Sequence, residues 1–162
     1  VPKVHYDDKE MIITERIYPT SKPTAEDFIK IIERFKGGKS MGLPGSQTYL
    51  NNLPPYHKPI KLPEHQATFF HGDLSTTNVL KNSRLWLIDP NYKNIFGSWL
   101  TDAGKAFFSF VAYEQDYPSA KKIADHFGPE VINFAVAEGL RVTKYKPEYI
   151  SIVNNIAELC QV

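Results

Sequence analysis

The stretch that decides the fold is FFHGDLSTTNVLKNSRLWLIDP, residues 69–90. Two short apolar runs, residues 79–80 and 85–88, flank a polar tetrad, and this pattern predicts a β-hairpin. Asn78 stands just before the first strand and Asp89 just after the second. Because a hairpin brings its open ends together, we expect these two side chains to lie within reach of a shared ion.

The oxygen-bearing side chains around this hairpin suit a metal-bound polyphosphate. Mg2+ prefers hard oxygen ligands and is usually held by one or two protein carboxylates or amides, together with substrate phosphates and water. Asn78 and Asp89 provide such a pair. Asp73 follows a tight Gly-containing turn on a separate loop, so its carboxylate would be available to accept a proton from a hydroxyl or to orient that hydroxyl.

A compound motif runs through the same stretch: His-Gly-Asp-Leu at residues 71–74, then Asn78, then Ile-Asp-Pro at residues 88–90. It resembles the catalytic loop and the metal-binding Asp of the aminoglycoside phosphotransferase and choline kinase superfamily, which shares the protein-kinase fold. Gly in the place of the kinase Arg, and a tripeptide other than DFG, are typical of the small-molecule branch. The resemblance covers residues 66–110.

This resemblance implies an ATP- and Mg-dependent phosphotransferase that acts on a hydroxyl of a sugar, an amino alcohol or an aminoglycoside-like compound. Asp73 would be the catalytic Asp, and Asn78 and Asp89 would bind Mg2+ and the nucleotide phosphates. His71 would buttress the loop, and a structural histidine is a commoner role at such a position than a catalytic base.

The resemblance also implies the architecture. We expect an α+β, mostly helical carboxy-terminal lobe of a kinase-like fold, with a small β-ribbon that carries the catalytic and metal-binding loops. Residues 1–162 would form a single domain with its catalytic core at residues 66–110. Residues 1–20 would form a strand leading into the hinge, where the backbone at Glu15 and Ile17 would face the adenine ring.

Two features of an amino-terminal kinase lobe do not occur in this sequence: neither a Gly-rich phosphate loop nor a strand with a paired Lys precedes the hinge segment. We therefore expect that lobe to be removed, cleaved or carried elsewhere. The apolar surface around Ile12, Ile13 and Ile17 would then associate with that lobe, with a second copy of the chain or with another polypeptide. The other expected partners are a nucleotide and a small-molecule acceptor.

Periodicity and capping residues predict the remaining elements. Thr24 can cap a helix that ends at Gly37, and Ser98 or Thr101 can cap a second helix. Three further helices are expected at residues 119–127, 129–144 and from 147 onward, with a short helix at 47–53 and a loop at 91–98.

Length and composition exclude several classes of protein. A chain of 162 residues with 42% hydrophobic content can bury one core. Its 19 basic and 18 acidic residues leave a net charge of +1, which favours neither a nucleic-acid partner nor an anionic membrane. The single cysteine, Cys160, excludes an intramolecular disulfide and indicates a reducing, cytoplasmic compartment.

Two alternatives remain open for the motif and for the whole molecule. Residues 73–78 are also compatible with an Asx turn and helix cap whose side chains satisfy their own backbone without any ligand. The chain as a whole would then be a catalytically inactive, kinase-like binding or scaffolding module.

Further polar residues also have two interpretations. Asp102 is either a first-turn carboxylate favoured by the helix dipole or, by the resemblance, an anchor for the catalytic loop. Four side chains are candidate acceptor contacts, although solvated loop residues are the commoner case: Tyr113, Glu114, Asp116 and Tyr117.

Overall fold

The computed structural model describes residues 4–7, 12–14, 16–39, 42, 53–57, 60–91 and 96–159. Within these ranges the chain is mostly helical, with short antiparallel strand pairs, which confirms the α+β fold class. The α-helices are α1 Ala25–Lys36, α2 Trp99–Ser109, α3 Tyr117–Phe127, α4 Glu130–Thr143 and α5 Ile150–Glu158.

The strands pair two by two into antiparallel ribbons. They are β1 Val4–Asp7 with β2 Ile12–Thr14, β3 Thr68–Phe69 with β6 Phe96–Gly97, and β4 Val79–Lys81 with β5 Leu85–Leu87. The expected loop at residues 91–98 is therefore wrong in part, because β6 lies within it. The hairpin of the motif is confirmed, and β1 and β2 form a second antiparallel pair at the amino end.

Helix α1 follows directly from its sequence. The Thr24 side chain accepts from the Asp27 backbone N–H and the Asp27 carboxylate accepts from the Thr24 N–H, a reciprocal capping box. Phe28 and Ile32 are fully buried on the core side, and the helix stops at Gly37. The Asp27 carboxylate also pairs with the Lys81 ammonium of β4 at 2.6 Å, which ties the helix to the hairpin.

The core is centred on α2 and on the start of the turn that follows it. Every residue from Leu100 to Val111 is buried. This helix begins at the Ser98 cap, the first of the two expected candidates. Helix α4 lies against it at close range, because a Cβ added to Gly104 would lie only 2.5 Å from the Phe134 backbone. A residue larger than Gly at this position would force the two helices apart.

The carboxy-terminal half departs from the expected helices mainly at their ends. Residues Phe110–Glu114 continue α2 as a π-helical turn that ends at Gln115, whose φ is 54°. The helix expected from residue 147 opens with a 3-10 turn at Pro147–Tyr149. The short helix expected at residues 47–53 lies almost wholly outside the described residues.

No helix in the part of the chain that the structure describes is both long enough and apolar enough to cross a membrane.

Candidate active site

The β4–β5 hairpin carries Asn78 and Asp89 at its open end. The strand register pairs Val79 with Leu87, and one further bond, from the Ile88 N–H to the Asn78 carbonyl at 3.0 Å, extends the ladder beyond it. Asp89 follows at once with a φ of 53°, a left-handed conformation that turns the chain out of the strand. The hairpin thus places Asn78 beside the residue that precedes Asp89.

The loop that carries Asp73 is anchored to α2 through its backbone. One Asp102 carboxylate oxygen accepts from the His71 N–H at 2.7 Å, and the other accepts from the Gly72 N–H at 2.9 Å. Gly72 has a φ of 78°, a conformation that favours glycine. Asp102 does lie in the first turn of α2, and both of its oxygens are engaged as the anchor that the resemblance implies.

Burial raises the pKa of Asp102 to about 7, although the backbone N–H groups of His71, Gly72 and Leu74 lower it. The carboxyl group is fully enclosed, and the negative charge of Glu138 adds to the cost of ionising it. The anchor therefore titrates near neutral pH.

The segment after β5 is joined to the same loop. The Asn91 N–H donates to the His71 carbonyl at 2.9 Å, and the His71 Nε2 lies 2.9 Å from the Ile88 carbonyl. Because burial lowers the pKa of His71, the neutral ring is favoured, and Nε2 carries the proton donated to that carbonyl. His71 is thus a structural link between the loop and β5, the role expected for a buttress.

Asp73 and Asn78 contact each other directly. The Asn78 Nδ2 donates to the Asp73 backbone carbonyl at 2.9 Å and to the Asp73 Oδ2 at 3.0 Å. Within the described residue ranges, the Asn78 Oδ1 accepts a single long bond, of 3.5 Å, from the Thr77 hydroxyl. This orientation leaves the amide oxygen, a hard ligand, as the atom that would meet a cation.

Two cations hold the other oxygen of Asp73. The Lys105 ammonium lies 3.0 Å from the Asp73 Oδ1, and the Arg141 guanidinium lies 3.2 Å from the same atom. Burial alone would raise the pKa of Asp73, but Lys105 and Arg141 outweigh it and hold the pKa below its ordinary value. Asp73 is therefore an ionised carboxylate at neutral pH.

Asp73 and Asp89 face a common cleft of about 260 Å³, whose other lining residues are Pro90, Asn91 and Arg141. Among the described residues, no three His, Cys, Asp or Glu side chains come together as a metal-binding cluster. Asn78 contacts Asp73 but does not itself line this cleft. A Mg2+ ion held by Asn78 and Asp89 would also need oxygens from nucleotide and water, a donor set that this ion accepts.

Three charged residues of the site were not predicted from the sequence: Lys105, Glu138 and Arg141. Each lies on a largely apolar helix face, in α2 or α4. The sequence offered one signal for such residues, a charged residue inside an otherwise mostly apolar run. For Lys105, that run is WLTDAGKAFFSF, residues 99–110. Glu138 and Arg141 pair at 2.9 Å, but their i,i+3 spacing is also typical of a solvated helix surface and does not by itself indicate a site.

Other candidates lie away from the cleft. Glu114 pairs with Lys22 at 2.7 Å, Asp116 caps α3, and Tyr113 packs against Tyr149. None of these three, nor the exposed Tyr117, lines the cleft around Asp73.

The structure describes only one of the two residues whose backbone is predicted to face the adenine ring. Glu15 lies outside the described residues, whereas Ile17 is described and half-buried. The segment that follows Ile17 reaches the hairpin, because the Thr20 N–H donates to the Lys81 carbonyl of β4 at 2.8 Å. A role of Glu15 and Ile17 at the adenine ring stays a prediction.

Known proteins provide little information on the family of this chain. No family model and no curated protein matches the chain. Among solved structures, the chain is similar to the crystal structure of a choline/ethanolamine kinase family protein from Mesorhizobium loti, with 14% identity and a TM-score of 0.49. The similarity covers 99% of this chain and 73% of that one. At this level of similarity, the comparison does not assign a family.

Proposed function

We propose that this chain is the catalytic lobe of a phosphotransferase that moves a phosphoryl group from Mg-ATP to a hydroxyl of a small molecule. One observation carries the proposal. Asp73 is hydrogen-bonded to Asn78 at 3.0 Å and lines the same cleft as Asp89, which supports the assignment of the three residues to one site.

The chemistry assigned to the chain is mainly positioning. Because the pKa of Asp73 is held below its ordinary value, the carboxylate is suited to accept a hydrogen bond from the acceptor hydroxyl and to orient it. Phosphoryl transfer passes through a loose transition state, so orientation and charge neutralisation matter more than early proton abstraction. Bound Mg-ATP would supply the phosphoryl group, and Asn78 and Asp89 would hold its metal.

The partners follow from this assignment. They are a nucleotide, a small hydroxyl-bearing acceptor, and an upper lobe that covers the nucleotide phosphates. We propose that this upper lobe, or a second copy of the chain, docks near the β1–β2 hairpin.

A specific contact favours a second candidate, an inactive binding module. Asp73 Oδ1 already meets two cations, Lys105 and Arg141, so the carboxylate is neutralised without any ligand. In such a module, Asp73 would serve only as an ion-pair partner that shapes the cleft, and nucleotide would bind without turnover.

Transfer of the γ-phosphate, followed by 31P NMR, separates the two candidates. Mg-ATP is mixed with the full-length gene product and with sets of sugars, amino alcohols and aminoglycosides. For a phosphotransferase, Asp73→Asn lowers turnover by about 10²–10⁴-fold, because it removes the carboxylate while keeping its shape. Asp125→Asn is the matched control on the exposed face of α3 and leaves turnover unchanged. Nucleotide binding without transfer to any acceptor would favour the inactive module.

A further inference from the structure

A buried lysine lies directly behind Asp73. Lys105 is only 5% exposed, and its ammonium is 3.0 Å from the Asp73 Oδ1 and 3.8 Å from a Glu138 carboxylate oxygen. Glu138 is itself 1% exposed and is held by Arg141 at 2.9 Å. Two carboxylates and two cations thus form a network of zero formal charge, and buried charges persist only when they are paired in this way.

Two helices, α2 and α4, bring the side chains of this network together. Asp102 and Lys105 are three residues apart in α2 and so share one face of the helix. Asp102 holds the loop backbone at His71, while Lys105 holds the side chain of Asp73. The close approach of α4 at Gly104 then brings Glu138 to the Lys105 ammonium.

The two carboxylate oxygens of Asp73 have different numbers of hydrogen-bond and ion-pair partners. A carboxylate oxygen has about two lone-pair sites. Oδ1 meets both Lys105 and Arg141, whereas Oδ2 meets the Asn78 amide at 3.0 Å. Within the part of the chain that the structure describes, Oδ1 is therefore saturated, and Oδ2 retains one acceptor site for a ligand.

We propose that Lys105 is a positioning residue: it fixes the Asp73 Oδ1 from inside the core and so presents Oδ2 to the acceptor hydroxyl. The inference rests on the proposed phosphotransferase function and deepens it. Lys105 is assigned this role rather than Arg141 because the Arg141 side chain is 33% exposed and makes two bonds to Glu138. Without Lys105, the Asp73 carboxylate would be free to rotate toward Arg141.

Steady-state kinetics of Lys105→Met in the full-length gene product test the proposal. Methionine keeps an unbranched apolar stem and removes only the ammonium. We expect kcat to fall about 10²-fold, the loss typical of a misplaced reacting group. KM for Mg-ATP stays unchanged, because the Asn78 amide keeps its bond to the Asp73 backbone carbonyl at 2.9 Å. Lys121→Met, which removes an exposed ammonium from α3, is the matched control and leaves both constants unchanged.

A second variant covers the case in which Lys105→Met does not fold because Glu138 is left with one partner fewer. Lys105→Met combined with Glu138→Gln removes one charge of each sign, and the same fall in kcat is expected. An unchanged kcat, or a parallel change in KM for Mg-ATP, in either folded variant would overturn the positioning role.

The side-chain amide signal of Asn78 gives a readout that does not need turnover. This amide donates to the Asp73 Oδ2, so rotation of the carboxylate in Lys105→Met must shift its NMR resonance. A shifted signal in a protein whose wild type transfers no phosphate would support the positioning of Asp73 and refute the phosphotransferase function. An unshifted signal would refute the positioning itself.

Discussion

Replacement of Asp102 by alanine tests the anchor of the catalytic loop. The substitution leaves two buried backbone donors, the His71 and Gly72 N–H groups, without their acceptors at 2.7 and 2.9 Å. Each buried donor left unsatisfied costs about 1–3 kcal/mol, so the gross loss is about 2–6 kcal/mol. Removing a fully buried carboxyl group recovers part of its desolvation cost, and we expect a net loss of about 2–4 kcal/mol.

Urea unfolding followed by tryptophan fluorescence measures this loss, because Trp86 lies in strand β5 of the hairpin and Trp99 opens α2. A loss of this size is a large share of the roughly 5–15 kcal/mol that stabilises a typical domain. Asp125→Ala is the control, since that carboxylate is 60% exposed and its pair with Lys121 contributes about 0.5 kcal/mol or less. If Asp102→Ala cost less than about 1 kcal/mol, the two backbone bonds would not be the anchor described here.

Two further outcomes are expected. The pKa of Asp102 is raised from 3.8 to about 7 in the folded protein. The contribution of Asp102 to the free energy of unfolding is therefore complete below pH 4 and is lost as the pH rises through 7. The stability advantage of the wild type over Asp102→Asn should shrink by about 2 kcal/mol from pH 5 to pH 8 in urea titrations, and a constant advantage would contradict this. Gly104→Ala should destabilise the protein by about 1–3 kcal/mol in thermal unfolding, because its Cβ would meet the Phe134 backbone; a stability equal to wild type would show that α2 and α4 separate freely.

Much of the hairpin and its site was accessible from the sequence because the signals are local. The strands β4 and β5 are four residues apart, so their pairing and the positions of Asn78 and Asp89 follow from one short stretch. The cap of α1 is equally local, since Thr24 and Asp27 are three residues apart. Such short-range patterns need no knowledge of the tertiary fold.

The remainder depends on contacts between distant segments. Strands β3 and β6 have two residues each and lie far apart in the chain, so neither shows a period that predicts pairing. The cations around Asp73 come from α2 and α4, and only the close approach at Gly104 brings their helix faces together. Read alone, a Glu138–Arg141 pair at i,i+3 spacing suggests a solvated helix surface.

We propose that Asp73, Asn78 and Asp89 form one site for a metal-bound nucleotide. Mn2+ in place of Mg2+ tests it directly, because this paramagnetic ion broadens the NMR signals of nearby nuclei even when binding is weak. With substoichiometric Mn2+ and excess ATP, we expect the amide signals of residues 73, 78 and 89–91 to broaden first and those of α5 to persist. Asp89→Ala should abolish the effect. Broadening that appears elsewhere in the molecule, or that survives Asp89→Ala unchanged, would contradict the account.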